Sequence, residues 1–134
     1  MILRDNVMTL LVDACPSFKN KWEEHLQDIW DRTSETILYT DFSELARHLS
    51  SLVENNHFEE FPAIFEIVEQ LVIEGDSFVQ EAVVVGLIED FQNNLLSKRY
   101  ELSLIDRFLK TETKKYWVKV IQFWNGEIPY ISKD

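Results

Sequence analysis

HLSSLVENNHFEEFPAIFEIVEQLVIEGDSFVQEAVVVGLIEDFQNNLLS, residues 48–97, is the stretch that decides the fold. It contains no Lys or Arg, whereas ten of its residues are Glu or Asp. It also holds the most regular apolar spacing in the chain. We therefore expect it to supply both the hydrophobic core and much of the surface charge.

Two helices are expected around the first half of this stretch. Apolar residues recur at helical spacing from Phe42 to Val53 and again from Phe61 to Val72. Thr40 or Asp41 is expected to cap the first helix, and Asn55-Asn56 to end it. The short link predicts that the two helices form an antiparallel αα-hairpin.

The next helix is predicted over about residues 77–96. Gly75 suits the left-handed position that closes the preceding helix, and Asp76 suits the N-cap of this one. The run Ala82–Ile88 is apolar on every side, which predicts a central, buried helix, with a buried strand as the alternative for Val83–Val85. Gly86 is expected to allow close approach by a neighbour.

Outside this region, the apolar spacing of residues 2–14 predicts a short amphipathic helix. Residues 32–40 have no helical period and are predicted to form a loop. A second helix is expected from Pro16 to about Asp31, with an apolar stripe in the core. That stripe comprises Phe18, Trp22, Leu26, Ile29 and Trp30.

Two further helices are predicted beyond the Lys98-Arg99 pair. The first is marked by Leu102, Ile105, Phe108 and Leu109, and the second covers residues 112–125. The expected buried side of the last helix comprises Tyr116, Trp117, Val120, Ile121 and Trp124.

The composition predicts an all-α single domain over residues 1–134, with six to seven antiparallel helices. With 134 residues and 46% hydrophobic content, the chain can bury one core without metal or disulfides. A compact bundle and a HEAT-like helical stack are both consistent with the pattern. The lone Cys15, the lack of a signal peptide and the lack of a long apolar run predict a cytoplasmic protein with no membrane span.

The net charge of −11 is unevenly distributed. Residues 1–47 carry nine acidic against five basic residues, residues 48–97 ten against none, and residues 98–134 five against eight. Phosphate backbones repel such a surface, which argues against direct nucleic-acid binding. Basic proteins or cations are the natural partners.

Several segments together resemble a known family. They are Leu10–Phe18 (LLVDACPSF), Trp22–His25 (WEEH), Leu45–Leu49 (LARHL), Phe61–Phe65 (FPAIF), Glu74–Asp76 (EGD), Glu81-Ala82, Lys115–Trp117 (KYW) and Phe123-Trp124. In this order they resemble an uncharacterised family of small bacterial all-helical proteins. Proteins of this type are similar to the immunity proteins encoded beside polymorphic and contact-dependent toxin genes. The resemblance implies no catalytic residue.

Chemically active motifs are absent from the sequence. His25, His48 and His57 fall on different predicted elements without the i, i+4 spacing of a helical metal site, so no metal or cofactor is expected. Arg47 and His48 are expected on the polar side of their helix. Cys15 has no nearby His in the sequence and is interpreted as a buried structural thiol. The chain is therefore not expected to be an enzyme.

The predicted function is that of an immunity protein, or antitoxin. Its acidic surface would occlude the active cleft of a basic toxin domain, expected to be a nuclease, with Glu59, Glu66, Glu69 and Asp76 as the partner-binding residues. This is the logic of barnase and barstar, an established pair steered by charge. Exposed aromatic residues would add anchors, with Tyr39 and Tyr130 as the candidates.

Two alternatives stay open. One is a helical protein-interaction adaptor or oligomerising module with no toxin partner, which would bind through an apolar groove. The other is that the acidic surface serves solubility alone. Electrostatic inhibition weakens with added salt, whereas groove binding does not, so salt dependence separates immunity from the adaptor.

Overall fold

Seven α-helices dominate a computed structural model that describes residues 1–132. They are α1 (Arg4–Ala14), α2 (Lys19–Asp28), α3 (Ile37–Glu54), α4 (Phe61–Glu74), α5 (Ser77–Ala82), α6 (Glu89–Ser97) and α7 (Thr111–Trp124). Two 3-10 helices (Pro16–Phe18 and Leu102–Phe108) and a π-helical turn (Val83–Ile88) join them. These described residues contain no strand, so the predicted all-α class is confirmed.

Helices distant in sequence pack together to form a single core. α1 packs on α4, α3 packs on α6 and the π-helical turn, and α7 packs on α4 and the same turn. Helix α3 therefore packs mainly on α6 and the π-helical turn and not on α4, contrary to the predicted αα-hairpin. Such contacts fit a compact bundle rather than a stack of consecutive helix pairs. No helix within residues 1–132 combines the length and apolarity that crossing a bilayer requires.

The π-helical turn lies at the centre of the bundle. It joins α5 to α6 as one continuous helix, so the strand alternative for Val83–Val85 is wrong. Val83, Leu87 and Ile88 are buried, as predicted. A Cβ on Gly86 would lie 3.1 Å from Cδ1 of Tyr39 and 3.4 Å from Cδ2 of Phe42, which confirms the predicted close approach.

The junction between α4 and α5 differs from the prediction at Gly75. This residue has an extended backbone (φ −66°, ψ 152°) instead of the left-handed one. It forms an isolated parallel bridge with Ile2, whose N–H donates to Glu74 O at 2.7 Å and whose carbonyl accepts from Asp76 N–H at 3.0 Å. Asp76 caps α5 as predicted, since its carboxylate accepts from Val79 N–H at 2.8 Å.

The helix α2 ends three residues earlier than predicted. Its last residue is Asp28, and Asp31 instead accepts hydrogen bonds from the N–H and hydroxyl of Thr33 in the following loop. Trp30 therefore falls outside the helix and is 88% exposed, so its assignment to the core is wrong. Trp124, at the end of α7, is also exposed rather than buried.

Helix α3 begins at Ile37, inside the predicted loop. Asp41 is consequently an interior residue of the helix and not its cap. Its carboxylate is 1% exposed and binds Arg32 from the α2–α3 loop and Nε2 of His25 from α2. A tertiary ion pair has thus overridden the capping preference of Asp.

Candidate partner-binding groove

The turn between α3 and α4 lines a groove on the surface of the molecule. Asn56 adopts a left-handed backbone (φ 59°), and His57 N–H donates to Leu52 O at 2.8 Å, as in a Schellman motif. Asn55-Asn56 therefore ends α3 as predicted. Six residues separate the two helices, and among them Phe58 and Glu59 reach the groove.

The groove encloses about 670 Å³ between this turn, the first turns of α4 and the end of the second 3-10 helix. Its lining comprises Asn56, Phe58, Glu59, Pro62, Glu66, Arg107, Phe108, Leu109 and Lys110. We call it the α4 groove. Concave surfaces with aromatic lining are where proteins commonly hold ligands and partner side chains.

Aromatic rings form the floor of the α4 groove. Phe58 and Phe108 stack with ring centroids 5.8 Å apart and planes 18° apart. Phe108 also meets Phe61 edge-on at 5.3 Å, which ties this floor to the core. The guanidinium carbon of Arg107 lies 5.1 Å from the Phe58 centroid and 4.7 Å from that of Phe108, within cation-π range.

Carboxylates and bases flank the aromatic floor. Glu59 and Glu66 are both exposed. Glu66 accepts a salt bridge from Lys110 Nζ at 2.9 Å, and this hydrogen bond raises the pKa of Lys110. A surface pair of this kind contributes little stability and can exchange one partner for another. Glu59 and Glu66 therefore remain available to a cation from outside.

Glu69, the third predicted partner-binding residue, is engaged inside the fold. Its carboxylate accepts from the N–H groups of Glu112 and Thr113 at 3.1 and 2.8 Å, and from the Thr113 hydroxyl at 2.7 Å. Partial burial acts to raise the pKa of Glu69, but these hydrogen bonds outweigh it and hold the pKa below its ordinary value. Glu69 thus caps the N-terminus of α7.

The fourth predicted residue lies elsewhere. Asp76 follows the C-terminus of α4, whereas Glu59 precedes its N-terminus, and a helix of 14 residues separates them by about 20 Å. Of the proposed aromatic anchors, Tyr39 is half-buried and packs edge-on against Phe78 at 6.2 Å. Tyr130 is exposed.

Bases from the C-terminal third return to the acidic middle third. Lys98 Nζ lies 3.0 Å from Glu54, in addition to the Lys110–Glu66 pair. Two carboxylates of residues 48–97 are therefore paired with bases from outside that stretch. Local sequence patterns do not predict these two ion pairs, because the two residues of each pair are 44 positions apart in the chain.

The structure brings two of the three histidines to one cleft between α2 and α3. His25 and His48 both line this cleft and are 8% and 6% exposed, whereas His57 is exposed on the α3–α4 turn. The prediction that His48 lies on a polar surface is wrong, while Arg47 is exposed as expected. Within residues 1–132 no three His, Cys, Asp or Glu side chains could hold a metal ion together.

Ser17 and His48 form a close pair that no local sequence pattern predicted. Ser17 Oγ lies 2.8 Å from His48 Nε2 and donates to Glu60 Oε1 at 2.8 Å, while Lys21 Nζ lies 3.1 Å from His48 Nδ1. An ammonium group only donates, so Nδ1 accepts and Nε2 carries the proton of the neutral ring. Burial, reinforced by Lys21, lowers the pKa of His48 despite the opposing charge of Glu60.

The direction of these hydrogen bonds decides what the pair can do. Ser17 donates a hydrogen bond to Glu60 and accepts one from His48, which is the reverse of a nucleophile activated by a base. Burial is the main reason that the pKa of the neighbouring Cys15 thiol is raised to about 12, so this fully buried thiol stays protonated. The chain from Lys21 to Glu60 therefore positions α2, α3 and α4 relative to one another.

Comparison of the chain with models of known protein families identifies its family. The family model described as Domain of unknown function (DUF7674) matches residues 8–125. No curated protein and no solved structure matches the chain significantly. The matched segment runs from the second turn of α1 to the end of α7 and includes the whole α4 groove. The chain therefore belongs to the family described as Domain of unknown function (DUF7674).

Proposed function

We propose that this protein is an immunity protein that binds a basic toxin domain, a nuclease, and blocks its active cleft. The observation that carries the proposal is the α4 groove, where exposed carboxylates of Glu59 and Glu66 flank a floor of stacked aromatic rings. Desolvated aromatic anchors supply affinity, and carboxylates steer a cationic partner. The mechanism is occlusion and requires no catalysis.

The charge of the whole chain supports this choice of partner. At a net charge of −11, the protein attracts a basic domain over a Debye length of about 8 Å at physiological salt. A nuclease must be basic where it grips a phosphate backbone, so its active cleft matches an acidic inhibitor. We further propose that the protein acts in the cytoplasm, where such a toxin would find its nucleic-acid target.

The proposal is tested by capture and co-expression. The protein serves as bait against its host lysate and against the products of the genes that adjoin its own. The expected result is recovery of a basic domain that is toxic when expressed alone and harmless when co-expressed. Recovery of only the protein itself, or of a nontoxic partner, would overturn the proposal.

The apolar floor of the α4 groove favours an adaptor as the second candidate function. Phe58 and Phe108 could receive an apolar segment of a nontoxic partner without help from charge. An adaptor complex would persist in high salt, whereas a complex steered by carboxylates weakens as salt rises. Salt titration of any captured complex therefore separates the two functions.

A further inference from the structure

Trp30 has the most exposed aromatic side chain among residues 1–132. Its indole is 88% exposed on the loop between α2 and α3, residues 29–36, which we call the Trp30 loop. Single exposed apolar side chains are common on protein surfaces and by themselves indicate no partner. Trp30 differs from them because the chain is held in place both before and after it.

Arg32 fastens the Trp30 loop to the core. Its guanidinium binds both oxygens of the Asp41 carboxylate, which is buried, and Nη1 lies 3.2 Å from Oδ1. The same guanidinium lies 5.1 Å from the ring centroid of Trp22, within cation-π range. Bidentate pairs of arginine and carboxylate are among the stronger polar contacts and fix the geometry of both partners. The chain two residues after Trp30 is therefore held.

The backbone next to Trp30 is also fixed by hydrogen bonds. Ile29 N–H donates to His25 O at 3.1 Å. On the other side, the Asp31 carboxylate accepts from the N–H and hydroxyl of Thr33 at 3.0 and 2.7 Å. Binding costs less conformational entropy when a contact residue is already held in place. The loop therefore presents the indole to solvent in a preorganised position.

The charge beside Trp30 is negative. Asp28 and Asp31 flank it in the sequence, and both are exposed. Hydrogen bonds from Thr33 lower the pKa of Asp31, so this carboxyl is ionised at neutral pH. Arg32 is the only Lys or Arg within residues 22–36, and the buried carboxylate of α3 compensates its charge.

Bases from neighbouring positions do not cancel this charge. The cleft between α2 and α3, which Asp28 lines, holds three carboxylates against two bases, namely Glu24, Asp28 and Glu44 against Lys21 and Arg47. Arg47 is paired with Glu44 at 2.7 Å. Lys21 precedes Asp28 by two helical turns, about 10 Å along the axis of α2. The field beside the indole therefore repels a second copy of this acidic chain and attracts a basic surface.

We propose that Trp30 is the anchor of an interface with a basic protein, which receives the indole in an apolar pocket bordered by Lys or Arg side chains. Tryptophan is enriched among the residues that dominate binding energy, and these residues act where they are fully desolvated. Charge complementarity around the pocket then fixes the orientation of the partner. No residue of the Trp30 loop lines the α4 groove, so Trp30 adds a contact outside it. The identity of the partner as the toxin domain rests on the proposed function.

The first measurement needs no partner protein. It follows the quenching of tryptophan fluorescence in the whole protein by Cs⁺ and by iodide at matched ionic strength, each normalised to N-acetyl-tryptophan amide. The difference between the parent and Trp30→Phe isolates the signal of Trp30. Cs⁺ should quench this signal at least about twice as efficiently as iodide, because the flanking carboxylates concentrate cations. Equal quenching by the two ions, or shielding from both, would overturn the proposal.

The second measurement uses the basic domain that is captured with the protein as bait. Trp30→Ala should weaken its binding about thirtyfold, or about 2 kcal/mol, and leave the circular dichroism spectrum unchanged. The matched control Trp124→Ala removes another exposed indole and should leave the affinity unchanged. Undiminished binding by Trp30→Ala, or an equal loss in the control, overturns this inference alone and leaves the immunity proposal standing. Failure to capture any basic domain overturns both.

Discussion

The carboxylate of Glu69 lies 2.8 Å from the backbone nitrogen of Thr113, so a side chain of α4 caps the first turn of α7. This contact crosses 44 residues of sequence. It converts one of the acidic residues expected at the surface into part of the fold. The carboxylate of Glu69 therefore stabilises the fold, whereas that of Glu66 lies at the surface in an ion pair.

The variant Glu69→Ala should lower the free energy of unfolding by about 1 to 2 kcal/mol, the usual effect of removing a helix cap. It also leaves the buried Thr113 hydroxyl without its acceptor. Urea unfolding followed by circular dichroism measures the change. The control Glu66→Ala removes a surface pair and should change stability by less than about 1 kcal/mol. Equal losses in the two variants would contradict the capping role.

Acid should weaken the same contact. The pKa of Glu69 is lowered in the folded protein, so its contribution to stability is present above the ordinary carboxyl value of 4.5 and is lost as pH falls through the lower folded value. The free energy of unfolding is measured across this acidic range in the parent and in Glu69→Gln. The parent should show the steeper decline, and parallel curves would exclude this contribution.

The substitution Gly75→Ala should destabilise the protein by about 2 kcal/mol through overpacking. A Cβ there would lie 2.5 Å from Leu71 O and 2.6 Å from Cγ1 of Val79. Gly126→Ala is the contrasting variant, since its Cβ meets nothing within 4 Å although φ is +76°. Its strain should cost about 1 kcal/mol. Denaturant titration compares the two, and a larger loss at Gly126 would contradict the packing argument.

Cys15 should resist alkylation in the native protein. Because its pKa is raised from 9.0 to about 12, the thiolate is about a thousandfold rarer than for an ordinary thiol. Its side chain is also fully buried. Iodoacetamide labelling, read by mass spectrometry, should therefore proceed only after denaturant is added. Rapid labelling of the folded protein would show that the thiol is accessible.

Charge reversal in the α4 groove should slow association with a basic partner. The double variant Glu59→Lys, Glu66→Lys is expected to lower the association rate about tenfold at low salt and much less at high salt. Stopped-flow fluorescence measures both rates. The matched control Glu35→Lys, Glu127→Lys makes the same change in net charge at exposed positions outside the groove. An equal effect from both variants would assign steering to net charge alone.

Local patterns in the sequence predicted most of the helices. The apolar spacing from Phe61 to Val72 and the capping residue Asp76 indicated α4 and the start of α5, because these signals act within a few residues. The start of α3 could not be predicted in this way. Its earlier turns are stabilised by the contact of Asp41 with Arg32 and His25, which come from α2 and the loop after it.

The same limit applies to the candidate site. The acidic character of Glu59 and Glu66 was evident from the sequence, and both line the α4 groove. Phe108 and Lys110, which complete the groove, come from more than 40 residues further along the chain. No periodic pattern in the sequence indicates that residues so far apart lie side by side. The pairing of Ser17 with His48 was missed for the same reason.

The π-helical turn has a consequence for how the family can vary. The hydrogen bonds of this turn span one residue more than those of an α-helix, so a regular α-helical turn would absorb the deletion of one residue between Val83 and Ile88. Each residue of an α-helix advances the chain by about 100°, so deleting one residue of α6 before Phe91 would instead rotate the rest of that helix by this angle relative to α5. Phe91 and Leu95 would then leave the core together. Length changes among family members should therefore occur in loops such as residues 29–36 or as loss of one residue from the π-helical turn, and the lengths of α5 and α6 should stay constant.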